Sequence, residues 1–367
     1  MTKKNNLFAN LKYDAPSGLV VFLVALPLCL GIAMASGAPL FSGIIAGIVG
    51  GIVVGSISDS QVSVSGPAAG LTAIVLSAIV SLGSFEIFLT AVFIAGILQV
   101  VLGFLKTGSI SNYFPNNVIE GMLTGIGIII FVKQIPKALG AEVEIGNGIA
   151  IFTDIATAFT QINIGVIIIT TVSLSIILIW DKVSFFKKLK LLPSALVAVV
   201  IGTILNEIFI TTGNSLAVIS TNQLVKLPDL ASNEGIKDIF FFPDFINFSE
   251  GLNFSSFLNK EVWIVAFTIA IVASIETLLN IEAADRMDPQ KRLTDTDLEL
   301  KAQGTGNIIS SLLGGLPVTS VIVRSSTNVN SGAKSKASAI FYVLLLRVCA
   351  LRIPSLLNKL PVGTRAA

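Results

Sequence analysis

Long apolar runs alternate with short polar segments along most of this chain. Runs of about 20 apolar residues are long enough to cross the ~30 Å hydrocarbon core of a bilayer as helices. The pattern therefore predicts a series of membrane spans, with one amphipathic helix at the interface (149–160) and a long extramembrane loop (211–260). The predicted spans cover residues 17–36, 41–57, 66–80, 85–105, 118–132, 164–180, 192–209, 262–284, 302–313 and 337–357, and a second short polar segment, 316–331, precedes the last of them as the tenth of eleven.

One stretch fits neither a lipid-facing span nor a solvent loop. Residues 58–75, SDSQVSVSGPAAGLTAIV, are polar at the front and apolar at the back. Pro67 favours a helix start at Gly66 and Pro67, because proline is tolerated in the first helical turn. A helix start at membrane depth has free N–H groups and a positive dipole end, which persist only beside water or an anion. The stretch therefore predicts an anion site.

The same order of features occurs twice: a Gly-rich span, a proline and a short Ser/Thr-rich helix. Residues 43–55 precede SVSGPAAGLTAI, and residues 304–315 precede LPVTSVIVRSSTN. The span before each carries an interruption, Pro27 in the first case and Glu276 in the second. Paired broken segments indicate the midplane site of an inverted-repeat transporter, although chance placement of Gly and Pro is the alternative. The glycines also predict close packing between helices.

Composition supports a polytopic membrane protein. Of 367 residues, 53% are hydrophobic and 13% charged, whereas soluble domains carry about 25% charged residues. The distribution of Lys and Arg predicts a multi-pass protein of the inner membrane with a cytoplasmic N-terminus. A net charge of +2 gives no support for nucleic-acid binding. Histidine, a P-loop, an HExxH motif and paired cysteines are all missing, so we predict neither an enzyme nor a cofactor.

Glu276 is a carboxylate in the middle of a predicted span. Its placement in hydrocarbon costs roughly 2.5–3.5 kcal/mol, so it should face the protein interior. Asn280 lies one turn later on the same helix face. The pair suits Na⁺ or, through the carboxylate, a proton, and we predict that it couples a cation to transport. The alternative is a structural hydrogen bond between helices.

Arg324 falls one turn after a predicted helix start near Ser320. Its guanidinium would add fixed positive potential for an anion held between opposed helix N-termini. The alternatives are snorkelling to an interface and pairing with Glu276.

Three motifs carry a resemblance to a known family. QVSVSGPAAG, ASIETLLNIEAADRMD and GTGNIISSLLGGLPVTSVIVRSSTNVNSGAKS occur in this order. Together they resemble the SulP family of inorganic anion permeases over residues 13–338. The resemblance implies an all-α fold of two inverted repeats of seven spans, divided into a core and a gate domain. It also implies an anion bound between the N-termini of the third and tenth spans, and family members are commonly dimers.

The resemblance assigns site residues along this chain. It places the backbone contributions to the anion site at Ser65, Gly66, Pro67 and Ala68 and at Ser320, Val321 and Ile322, with Arg324 beside them. It places Leu28 and Ile32 in the pocket lining, and Glu276 and Asn280 at the cation-coupling position.

The chain departs from the family pattern at its end. It stops after about the eleventh span, and Arg347 and Arg352 interrupt the last apolar run. We therefore predict an incomplete second repeat without a STAS domain, and truncation or a shifted reading frame after about Ile340. The predicted layout is a cytoplasmic segment (1–16), a first repeat (17–210), an extracytoplasmic loop (211–260), an incomplete second repeat (261–357) and an atypical tail (358–367).

The function predicted from these features is secondary transport of a small inorganic anion, with the bilayer and that anion as partners. Sulfate and bicarbonate both satisfy a site that selects for charge and size, and Na⁺ and H⁺ both suit the coupling pair. The alternatives are an anion channel and a non-transporting fragment.

Overall fold

A computed structural model describes residues 10–109, 116–141, 143, 150–183, 194–212, 216–218, 241–247, 251–252 and 254–352. The helices in chain order are α1 (Leu11–Ala35), α2 (Leu40–Ile57), α3 (Thr72–Leu82), α4 (Phe85–Phe104), α5 (Asn116–Leu139), α6 (Ala150–Ala158), α7 (Ile164–Lys182), α8 (Ser194–Thr211), α9 (Lys260–Met287), α10 (Thr296–Leu312), α11 (Ile322–Asn330) and α12 (Ala337–Arg352). The strands are β1 (Ser65–Pro67), β2 (Ile246–Asn247), β3 (Gly251–Leu252) and β4 (Val318–Ser320).

The described residues form a mostly helical membrane protein. Within them, α1, α2, α4 and α9 are long and apolar enough to cross a bilayer. Shorter apolar helices accompany them, including residues Ala69–Leu82 and Ala337–Cys349. The prediction of a polytopic α-helical chain is therefore confirmed.

The chain divides into two compact units, and the first comprises Met1–Glu120 and Leu230–Arg352. In this unit the order of two helices, a short strand and a short helix occurs twice, once as α1, α2, β1 and α3 and once as α9, α10, β4 and α11. The predicted internal repeat is thus visible in the element order.

Small residues bring the helices of the first unit together. A Cβ atom on Gly304 of α10 would lie 2.7 Å from the Gly96 carbonyl oxygen of α4, and the reverse substitution would be equally close at 2.8 Å. A Cβ on Gly18 of α1 would lie 2.6 Å from the Ser338 carbonyl oxygen of α12. The backbones of these helices approach so closely only because glycine stands at the contacts.

Side-chain caps fix several helix ends in the first unit. Ser84 accepts from Ile87 N at 3.2 Å and starts α4, after Gly83 has ended α3 with a φ of 78°. Asp295 accepts from Asp297 N and Leu298 N and starts α10. This cap places the start of α10 six residues before the predicted span at 302.

The second unit comprises Gly121–Asp229 and Ile353–Ala367. Asn163 caps α7 by accepting from Val166 N at 3.2 Å. Asn206 of α8 donates to the Val218 carbonyl and accepts from Val218 N, which holds residues 216–218 against the helix. Val166 and Ile169 pack with Val218 in a small apolar core.

The ends of the chain differ in part from the predicted layout. Helix α1 begins at Leu11, so residues 11–16 are helical, and the Asp14 carboxylate is buried. Within the predicted loop at 211–260, strands β2 and β3 pair antiparallel. The predicted tail at 358–367, and most of the loop, lie outside the described residues.

Candidate functional site

Two short buried strands of the first unit, β1 (Ser65–Pro67) and β4 (Val318–Ser320), meet in a pair that we call the crossing. β1 and β4 pair antiparallel, with Ser65 opposite Ser320, Gly66 opposite Thr319 and Pro67 opposite Val318. All six residues are buried. The crossing therefore brings together the two segments that precede α3 and α11.

The structure corrects the two predicted helix starts. Residues Ser65–Pro67 are a strand, and the helix begins with a 3₁₀ turn at Ala69–Leu71. Ser320 likewise ends β4, and α11 begins at Ile322. Strand pairing prevails because it satisfies backbone groups that would otherwise be unpaired at membrane depth.

The register explains how Pro67 is accommodated in a strand. Val321 N donates to the Val64 carbonyl at 3.1 Å, and Ala68 N donates to the Pro317 carbonyl at 3.2 Å. Hydrogen-bonded and non-bonded pairs alternate in an antiparallel ladder. Pro67 therefore occupies a non-bonded pair, where its missing N–H is not needed.

Neighbouring helices hold the crossing in place. Val318 N donates to Asn307 Oδ1 at 2.6 Å, and Asn307 Nδ2 donates to Gln99 Oε1 at 2.6 Å. In α2, Gly50 opens a turn of π-helix at Gly50–Val54, and a Cβ there would lie 2.5 Å from the Ser65 carbonyl oxygen. The glycine thus lets β1 lie directly on α2.

Arg324 is fully buried in the first turn of α11. Its Nη2 donates to Cys29 Sγ at 3.2 Å, while Nε and Nη1 have no hydrogen-bond partner among the described residues. A Cβ on Gly66 would overlap Nη1, so the guanidinium lies directly against β1. Neither predicted alternative for Arg324 holds: it does not snorkel, and among the described residues no carboxylate pairs with it.

Glu276 of α9 contacts the turn that follows β1, and Asn280 of α9 contacts β4. Glu276 Oε1 accepts from Gly70 N at 3.3 Å in the turn before α3, and its buried Oε2 has no hydrogen-bond partner in the described part of the chain. Asn280 Nδ2 donates to the Ser320 carbonyl at 2.6 Å. Asn280 therefore makes a structural hydrogen bond, which the sequence analysis gave as the alternative to cation coupling. An unpartnered carboxylate oxygen is of the kind that hard cations bind. The described residues contain no group of three or more His, Cys, Asp or Glu arranged to hold a metal ion.

The remaining predicted residues lie around the same crossing. Ala68 N and Val321 N are occupied by the strand ladder and are not free donors. The first hydrogen bond within α11 runs from Ser325 N to the Val321 carbonyl at 3.0 Å. The N–H groups of Ile322 and the next two residues therefore have no acceptor inside the helix. On α1, Leu28 and Ile32 are half-buried, and Ile32 packs against the core.

Sequence reasoning missed several polar residues beside the crossing. The Tyr342 hydroxyl of α12 donates to the Gly47 carbonyl at 2.6 Å and lies 3.2 Å from the Ser65 carbonyl oxygen. Gln303 Nε2 donates to Ser65 Oγ at 2.8 Å and to Glu299 Oε1 at 2.8 Å. Glu299 and Gln303 are four residues apart on α10, and the Asp295 cap is the sequence signal that would have placed both on one helix.

Charged groups outside the spans join the loops at one end of this unit. Arg292 Nε donates to Asp288 Oδ2 at 2.6 Å, and Arg292 Nη1 donates to the Lys334 carbonyl at 3.0 Å. Burial raises the pKa of Asp288, but the hydrogen bonds from Arg292 and Gln290 N outweigh it, so the pKa lies below the ordinary value of 3.8. Burial lowers the pKa of Lys336.

The sequence matches the model of the sulfate permease family over residues 11–367. This match includes the segment after Ile340, where the sequence analysis predicted a departure. The putative sulfate transporter YvdB of Bacillus subtilis is 28% identical over 96% of this chain and 62% of its own length. The bicarbonate transporter BicA of Picosynechococcus is 26% identical over 98% of this chain and 60% of its own length. This chain thus spans about three fifths of these relatives.

Solved structures of transporters share this fold. The transmembrane domain of a cyanobacterial bicarbonate transporter, BicA, superposes with a TM-score of 0.81 at 25% identity, over 98% of this chain and 86% of that one. SLC26A9 superposes with a TM-score of 0.79 at 18% identity, over 97% of this chain and 56% of that one. The matched family is one of transporters rather than enzymes, and the predicted fold class is confirmed.

Proposed function

We propose that this chain, which belongs to the sulfate permease family, is a secondary transporter of a small inorganic anion. Sulfate and bicarbonate are the candidate substrates, because relatives are described as transporters of one or the other. We place the protein in the inner membrane with a cytoplasmic N-terminus, from its Lys and Arg distribution, and expect a homodimer that moves its core unit against a gate.

The observation that carries this proposal is the buried, unpaired charge of Arg324. Burying a cation without a charged partner is costly, and among the described residues the guanidinium donates to the neutral thiol of Cys29 and lies near the neutral hydroxyl of Tyr342. An anion at the N-terminus of α11 offsets this cost through the field of the guanidinium and through the N–H groups that begin the helix. The same preference for negative charge suits sulfate and bicarbonate.

Glu276 supplies the reason for cation coupling in this proposal. Its carboxylate lies against Gly70 N, at the start of the other half-helix. An anion bound at the crossing is repelled by an ionised carboxylate there. A proton or a Na⁺ ion on Glu276 and Asn280 removes that repulsion, so anion and cation bind together.

Uptake of radiolabelled sulfate and bicarbonate into proteoliposomes tests the proposal. Arg324→Ala is expected to raise KM by roughly 10- to 150-fold, the equivalent of the 1.5–3 kcal/mol of a hydrogen bond to a charged group. Arg286→Ala is the matched control, because Arg286 is exposed and forms its ion pair with Glu282 on the same helix. Unchanged affinity in Arg324→Ala would remove the arginine from the site.

The coupling ion is tested by the same assay under Na⁺ and pH gradients. Glu276→Gln is expected to abolish gradient-driven uptake while exchange of anion continues. Uptake by Glu276→Gln that still follows either gradient refutes the coupling role. Conductance without saturation would instead indicate a channel, and the absence of any flux would indicate a non-transporting chain.

A further inference from the structure

Glu299 is a fully buried carboxylate that belongs to neither proposed binding position. It lies in the first turn of α10, where Oε2 accepts from Ser58 Oγ and Oε1 accepts from Gln303 Nε2 at 2.8 Å. The charged groups that face it are Lys336, from the segment before α12, and Asp285 of α9. Lys336 also donates to the Ser58 carbonyl. The carboxylate is thus well hydrogen-bonded, with one cation close by.

The Gln303 amide connects this carboxylate to the crossing. Its Nε2 donates both to Glu299 Oε1 and to Ser65 Oγ, whereas its buried Oε1 has no hydrogen-bond partner within the described ranges. An ionised carboxylate only accepts hydrogen bonds, so it holds the NH₂ end of the amide toward itself. Ser65 Oγ then accepts from the same NH₂ group, and its own O–H remains available to another acceptor.

Protonation reverses this chain of hydrogen bonds. A proton from solvent that binds Glu299 Oε1 turns the carboxyl into a donor. The Gln303 amide then favours the flipped orientation, in which its oxygen accepts from the Glu299 O–H and from the Ser65 O–H. Ser65 changes from acceptor to donor toward Gln303, and its O–H is no longer available elsewhere.

We propose that Glu299 is a protonation site whose state is transmitted through Gln303 to Ser65 of β1. The proton has a short route, because Ser58, which bonds the carboxylate, precedes the exposed Asp59 in the chain. Asp59 itself faces Lys336. Ser65 lies opposite Ser320 in the strand pair, so the proton changes the side-chain hydrogen bonding of a residue within that pair. Its consequence for anion transport rests on the proposed function.

Infrared difference spectroscopy of the purified chain, between acidic and neutral pH, tests the protonation site without transport. The wild type is expected to show a buried carboxyl C=O band that is lost in Glu299→Gln and retained in Glu282→Gln, the control on the exposed Glu282. Ser65→Ala and Gln303→Leu keep the carboxyl and are expected to shift the frequency of that band. These two variants also keep the test decisive if Glu299→Gln does not fold.

Two results would overturn the inference. One is an infrared difference spectrum between acidic and neutral pH whose carboxyl bands are the same in the wild type and in Glu299→Gln. The other is a Glu299 band that Ser65→Ala and Gln303→Leu leave at its original frequency, which would mean that nothing is transmitted.

The transport assay separates this inference from the proposed function. A wild-type chain that shows the predicted band and shifts but no anion uptake refutes the function and leaves the protonation site in place. A chain that takes up anion without the band refutes only the site.

Discussion

Replacement of Gly66 by alanine tests the contact between β1 and Arg324. A Cβ at this position would overlap Arg324 Nη1 and lie 2.8 Å from the guanidinium carbon. Gly66 does not have a positive φ, so alanine meets no backbone strain. The substitution therefore acts through the displaced guanidinium alone.

The expected size follows from the packing. Insertion of a methyl group into a filled site costs about 1–3 kcal/mol, because neighbouring side chains must leave their preferred positions. Displacement of Arg324 also breaks its hydrogen bond to Cys29 Sγ. Displacement of Arg324 is expected to weaken anion binding. A coupling free energy of about 1–3 kcal/mol between position 66 and the anion site corresponds to a roughly 5- to 150-fold increase in KM for the anion.

A double-mutant cycle isolates the contact. Anion affinity is measured in proteoliposomes for Gly66→Ala, Arg324→Ala and the double variant, with thermal unfolding measured beside it. We expect Gly66→Ala to cost much less when residue 324 is already alanine, because nothing remains to be displaced. Gly31→Ala is the control, since a Cβ on Gly31 would lie in open space, with no described atom within 4 Å apart from its chain neighbours and the backbone of its own helix. Additive effects of the two substitutions would refute the contact as the cause.

Two further predictions concern stability. Tyr342→Phe is expected to lower the free energy of unfolding by about 1–3 kcal/mol, because the two buried carbonyls that its hydroxyl reaches lose that donor. Thermal unfolding measures this loss. Tyr13→Phe, which changes an exposed tyrosine, is the control. The ion pair of Asp288 with Arg292 is expected to stabilise the fold above the ordinary carboxyl pKa of 3.8, because its folded pKa is lowered, and to lose this contribution as the pH falls through that lower value. Arg292→Gln should weaken the pH dependence of thermal unfolding below pH 3.8, and an unchanged profile would exclude the pair as its source.

The sequence predicted the membrane spans and the repeat because each depends on local pattern. Apolar runs the length of a bilayer identified α1, α2, α4 and α9, and the two Gly-Pro segments identified the halves of the crossing. Glycine spacing also predicted the close packing that Gly50 and Gly304 provide. Such features can be recognised in a short stretch of sequence, because bilayer thickness sets the length of each apolar run and close helix contact requires small residues at a fixed spacing.

The pairing of β1 with β4 could not be predicted from such local patterns. Ser65 and Ser320 are more than 250 positions apart, and three residues in each strand give no periodicity from which to predict pairing. Pro67 was read as a helix start because proline favours that position, yet it also fits an unbonded strand position. A helix start and a strand position at Pro67 are distinguished by where the partner strand lies. A local sequence pattern carries no information about that partner.

Glu299 shows the same limit for charged side chains. A carboxylate near the start of a helix is usually solvated, and the residues that neighbour Glu299 in the sequence do not distinguish it from the exposed Glu282. Its burial depends on Ser58, Gln303 and Lys336, which come from three different parts of the chain. Glu276 was found because hydrocarbon flanks it on both sides, whereas Glu299 is costly only because of the fold around it. A search for functional charges in such a chain therefore has to include buried groups near helix starts as well as those in mid-span.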